Sequence, residues 1–110
     1  MTALLLADEA PRLLQPTLAA VFGVDGALFL QQVHYLRQNS RHEHAGQRWV
    51  YNTHTGWQRY FPFWGTGKIG HLIRALVETG VLLVGRWDRN PLNRTNWYAL
   101  DEARLAALEA

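Results

Sequence analysis

Lys68, His71 and Arg74 recur at every third residue of a segment whose apolar positions follow a different rhythm. Ile69, Leu72, Ile73 and Leu76 stand at i, i+3, i+4 and i+7, the spacing of a helix with one buried stripe. Removing that stripe leaves Thr66, Gly67, Lys68, Gly70, His71, Arg74 and Ala75 facing outward. Ammonium, imidazole and guanidinium groups donate hydrogen bonds to phosphate oxygens and to base edges. The small residues between them allow a helix to approach a groove closely, with Thr66 near its N-terminus. A second set of donors, Arg86, Arg89 and Arg94, lies in a segment dense in turn-forming residues. From there the guanidinium groups would reach adjacent phosphates or a minor groove.

The charge distribution agrees with those two sets. The 110-residue chain carries 11 Lys and Arg against 9 Asp and Glu, a formal net charge of +2. From Arg37 to Arg94, however, the basic Arg37, Arg41, Arg48, Arg59, Lys68, Arg74, Arg86, Arg89 and Arg94 meet only Glu43, Glu78 and Asp88. A basic middle between acidic ends implies a polyanion-facing surface if the arginines share a face. A solvated arginine surface with no partner is the competing reading.

Other chemistries fare less well. With no cysteine, thiolate zinc sites, disulfide scaffolds and cysteine nucleophiles are excluded. Ser40 is the only serine and no catalytic triad pattern is present, so the chain is not expected to be an enzyme. Gly65-Thr66-Gly67-Lys68 lacks the spacing of a phosphate loop, and Ile69 stands where that loop needs a hydroxyl. His42-Glu43-His44 with His54 could supply zinc ligands, but no helix presents them at i, i+4, so a solvated loop and no metal or other cofactor is the expectation. His34 falls on a largely apolar helix and reads as a hydrogen-bonded core histidine. Most of the many aromatic residues should fill the core. Trp64 and Trp87, beside turns, are the candidates for stacking on bases.

The elements that position these groups follow from caps, breakers and periodicity. Residues 1–15, with Pro11, read as an irregular arm, and residues 16–110 as one domain. A short helix is predicted from Thr17 to Phe22, stopped by Gly23, and a longer one from Asp25 to Gln38. The longer helix has apolar residues on more than one side. Phe29, Val33 and Leu36 are therefore candidates for a homodimer interface, with Leu105 and Leu108 adding to it. A loop over 41–47, a strand over 48–51, Asn52-Thr53 as a cap pair, a helix over 55–60 and the helix over 66–79 follow. Gly80 ends that helix, strands over 81–84 and 95–100 flank a basic hairpin tip, and Asp101 caps a last helix over 102–109. No apolar run approaches the ~18 residues of a membrane span. The start lacks a basic region before Leu4-Leu5-Leu6, so a cytoplasmic, nucleoid-associated protein is expected.

Helix, helix, strand, helix, turn, helix and a two-stranded hairpin is the order of an α+β winged helix-turn-helix. The residues also carry a resemblance. Gln31-Gln32-Val33-His34-Tyr35, Trp49-Val50-Tyr51-Asn52-Thr53, Trp57-Gln58, Phe61-Pro62-Phe63-Trp64, Ile73-Arg74-Ala75-Leu76, Gly80-Val81-Leu82 and Arg94-Thr95-Asn96-Trp97-Tyr98 are similar to the N-terminal winged-helix domains of phage and plasmid replication proteins, the DnaD-like replisome-organiser and initiator group. The resemblance spans roughly residues 14–100. It implies binding of double-stranded DNA or self-association, and other replication proteins as partners. The helix 66–79 is expected to read the duplex, and the wing 86–94 to clamp phosphates. The alternatives are a protein-interaction or oligomerisation module of the same fold, and a transcriptional regulator.

Overall fold

The computed structural model describes residues 14–86 and 95–109. Helix α1 (Pro16–Gln38) begins with proline at its first turn, where a missing N–H costs nothing. It is broken at Gly23, whose φ of 77° and ψ of 165° are open only to glycine. The break falls where the sequence predicts one helix to stop and the next to start. Asp25 lies two residues beyond it.

The segment expected as a loop over 41–47 instead pairs. Strand β1 (His42–His44) runs antiparallel to β2 (Gln47–Asn52), with His42 opposite Trp49 and His44 opposite Gln47. Ala45 and Gly46, at φ 53° and 76°, make the two-residue turn. Two positive φ values in succession match the right-handed twist of a hairpin, and only the second is a glycine. Polar composition concealed the strand because both faces of β1 are largely open to solvent.

Helix α2 (His54–Trp57) is shorter than expected. Thr53 caps it, its hydroxyl accepting from Gly56 N at 2.9 Å. Asn52 Oδ1 in turn accepts from Thr53 N at 2.9 Å, and a Cβ on Gly56 would overlap that same oxygen. After the turns around Pro62 comes α3 (Thr66–Glu78), then Gly80 at φ 84° and β3 (Leu82–Gly85). Strand β4 (Asn96–Leu100) returns beside it and α4 (Glu102–Glu109) closes the chain, Asp101 Oδ1 accepting from Arg104 N at 3.0 Å.

These elements form an α+β fold with a small antiparallel sheet in the order β1-β2-β4-β3. Alternation along the strands sends Val50, Tyr98, Leu82 and Leu100 toward the helices. There they pack with Phe29, Trp57, Phe61, Ile69, Ile73 and Leu76. Trp49, Trp97 and Ala99 form a smaller cluster on the opposite face. The imidazoles of His42 and His44 meet the Trp97 indole edge-on there, at 5.2 and 5.8 Å. Among the described residues no helix is long and apolar enough to cross a membrane.

Burial corrects several expectations. Phe29 and Val33 are completely buried in this chain's own core, and Leu36, Leu105 and Leu108 pack against it half-buried. Phe29 and Val33 are thus closed to a second copy, covered by the sheet and the neighbouring helices, while Val21, Val24 and Tyr35 of α1 stay exposed. His34, expected in the core, is exposed and pairs with Gln38 at 3.2 Å, one turn along the same helix.

Candidate nucleic-acid interface

Helix α3 buries Ile69, Ile73 and Leu76 and half-buries Leu72, so its stripe is the predicted one. Thr66, Lys68, His71 and Arg74 are exposed. At about 100° per residue, His71 and Arg74 sit near the middle of the exposed face, together with Gly67 and Glu78. Lys68 lies at one margin; Thr66 falls beyond the other, between Ile73 and Gly70, and is exposed because it opens the helix. The three donors therefore share one face, with Thr66 at its N-terminal edge.

The two margins have different neighbours. On the Lys68 side, Nζ makes a 2.7 Å ion pair with Asp25 Oδ2 of α1, both side chains about half exposed. On the Thr66 side the helix approaches α2. Gly70, expected to face outward, is buried there. A Cβ at Gly70 would stand 3.2 Å from His54 Cε1 and 3.9 Å from an Arg74 guanidinium nitrogen. Glycine at this position lets α2 and α3 come together, with the His54 ring and the Arg74 guanidinium both close by.

Beside this contact lies a cavity of about 490 Å³ lined by Thr53, His54, Thr55, Thr66 and Asn96. Among the described residues its walls are hydroxyl, imidazole and amide groups, with no carboxylate. Asn96 opens β4, opposite Asn52 of β2, and the exposed Arg86 follows directly on the last β3–β4 pair, Gly85 with Trp97. The base of the hairpin and the start of α3 thus meet at one polar cleft. Sequence reasoning missed His54, Thr55 and Asn96 as parts of it. Asn52-Thr53 reads in the sequence only as a helix cap, and nothing local ties Asn96 to Thr66.

Trp87, Arg89 and Arg94 lie outside the described residues, as does most of the N-terminal arm, so their expected roles stay with the sequence. Trp64 is corrected: it is only 8 % exposed, stacked on Phe61 with ring centroids 4.6 Å apart. An indole held that way fills the core and offers no face to a base. The basic middle is also less uniform than its sequence suggests. Arg37 is buried, its Nε donating to Arg48 O at 2.9 Å and its other nitrogens reaching Gln47 at 3.2 Å and Glu102 at 3.4 Å. Arg48 lies 3.7 Å from Glu43.

His42, Glu43, His44 and His54 do not converge: the first three lie on β1 and the last on α2. Among the described residues no three His, Asp or Glu side chains are grouped to hold a metal ion. One titration is displaced. Burial raises the Tyr98 hydroxyl above its ordinary value, while nearby Asn96 and Trp57 draw it partly back. Comparison with family models, with curated proteins and with solved structures finds no match to this chain.

Proposed function

We propose that this chain is a winged helix-turn-helix domain that binds double-stranded DNA in the cytoplasm. In this reading α2 and α3 form the helix-turn-helix, and β3, β4 and their connection form the wing. The observation that carries it is the solvent face of α3, where His71 and Arg74, with Glu78 near its C-terminal end, lie between Lys68 at one margin and, at the other, a polar cleft whose described lining, Thr53, His54, Thr55, Thr66 and Asn96, holds no carboxylate. A helix with one buried stripe and donors on the other side fits a major groove. Hydroxyl and amide groups at its margin suit phosphate oxygens. Arg86 at the hairpin base, with Arg89 and Arg94 beyond it in sequence, would grip the backbone alongside. A role in initiating replication follows from the resemblance to replisome organisers; a transcriptional regulator would use the same contacts at a different site.

The test is duplex binding followed by fluorescence anisotropy as salt is raised. Affinity should fall with a log–log slope of about −0.9 for each phosphate neutralised. Alanine at Lys68, His71 and Arg74 together should abolish preference for a selected site over scrambled DNA, at ~1–3 kcal/mol per good base contact. Alanine at Arg86, Arg89 and Arg94 should weaken all duplexes about equally. An affinity indifferent to salt, or a helix variant that keeps its full preference, refutes the assignment. The second reading, an interaction module, draws on the exposed Val21, Val24 and Tyr35 of α1. It predicts self-association in sedimentation with no measurable duplex binding.

A further inference from the structure

We infer that Asp25 is a built-in competitor for Lys68, holding down the affinity of α3 for nucleic-acid phosphates until the backbone displaces it. The inference rests on the DNA-binding reading and concerns how that surface is regulated. Its basis is the 2.7 Å contact between Lys68 Nζ and Asp25 Oδ2, which joins two different elements at the margin of the exposed face. Lys68 is half exposed and Asp25 nearly so, so the pair is open to solvent and to a ligand.

Asp25 has its own reason to be there. The Gly23 break restarts α1, and a carboxylate in the first turn after a restart is favoured by the unpaired N–H groups and the dipole at that end. An exposed pair adds little to folding, because two long side chains lose freedom for a weakly attractive contact in water. Its larger effect is on binding. Of the three cationic or donor side chains on the face, one arrives already neutralised. A phosphate that bonds to Lys68 must also come within a Debye length, about 8 Å at physiological salt, of the Asp25 charge. Backbone contact at this margin is therefore penalised, whereas His71 and Arg74, nearer the centre of the face, are left to engage a groove.

The experiment compares wild type, Asp25→Asn, Lys68→Ala and the double variant on a random-sequence duplex over a range of salt, with melting curves as a folding control. Asparagine keeps the shape and an acceptor oxygen while removing the charge. Asp25→Asn should bind about two- to fivefold more tightly at low salt. Its log–log salt slope should be steeper by up to about 0.9, the signature of one more cation available to phosphate. In the Lys68→Ala background the same change should have little effect, because the masked cation is gone. Tight binding by Asp25→Asn where wild type binds weakly or not at all supports the inference. If wild type binds with strong salt dependence and Asp25→Asn binds no better, the competition is refuted while the DNA-binding reading stands. If neither binds and both melt normally, the DNA-binding reading itself falls, and the inference with it.

Discussion

Trp57 Nε1 and the Tyr98 hydroxyl sit in the core without a well-formed hydrogen bond among the described residues, although the Trp57 and Asn96 side chains lie close enough to the hydroxyl to ease its ionisation. Their rings pack edge-on with centroids 5.3 Å apart, so aromatic contact, rather than polar pairing, holds them. A buried hydroxyl with only poorly formed polar contacts keeps much of its desolvation penalty, about 1–3 kcal/mol. Tyr98→Phe should therefore leave the protein as stable as wild type or more so in urea unfolding, despite the total burial of the site. The same substitution tests the titration. A tyrosine whose folded value is raised stays neutral in the native state while the unfolded chain ionises near its ordinary value of about 10. Its stabilising contribution is complete below that pH and is lost as pH rises through the folded value. Wild type should weaken more steeply above pH ~10 than Tyr98→Phe, and parallel alkaline profiles would contradict the assignment.

Two backbone positions govern the shapes of the elements. At Gly23 nothing stands within 4 Å of where a Cβ would be, so the demand for glycine comes from the torsion angles alone. Gly23→Ala should cost about 1–3 kcal/mol in thermal or urea unfolding, through backbone strain without a clash. An alanine variant of unchanged stability would mean that α1 can straighten. The β1–β2 turn makes the opposite case. Ala45 occupies a left-handed position that penalises a Cβ by roughly 1–2 kcal/mol. Ala45→Gly should recover part of that, less what glycine costs in unfolded-state freedom, and Ala45→Asn should do so with less entropic loss. A rise in melting temperature for the asparagine variant is the expected readout.

Arg37 is the bolt of the whole molecule. It leaves α1, donates to the β2 backbone at Arg48, reaches Gln47 on the same strand and meets Glu102 at the start of α4. Because Glu102 is largely exposed, the ion pair itself contributes little; the part-buried bond to the Arg48 carbonyl contributes more. Arg37→Ala should destabilise by about 1–3 kcal/mol, since it leaves Arg48 O without that donor and opens a gap between three elements. It should leave the salt slope of any duplex binding unchanged, because this guanidinium is buried away from the α3 face proposed to bind. A changed slope would place Arg37 in the interface after all.

The amino-acid sequence by itself determined the local parts of this protein: the stripe of α3, the stops at Gly23 and Gly80, the Thr53 and Asp101 caps and the order of the main elements. Each depends on residues within a turn or two of one another, and apolar periodicity and torsional preference act at that range. The outward position of Thr66, Lys68, His71 and Arg74 was legible for the same reason. Only the tertiary structure decided what each face meets. Periodicity marks Phe29 and Val33 as apolar without saying whether the sheet or a second copy covers them, and it marks Trp64 as aromatic without its depth. The polar β1 acquires its identity by pairing with β2, whose hydrogen bonds no local pattern announces. The Lys68–Asp25 pair and the cleft between Thr66 and Asn96 join segments far apart in the chain, and such contacts exist only once the core has set the elements side by side.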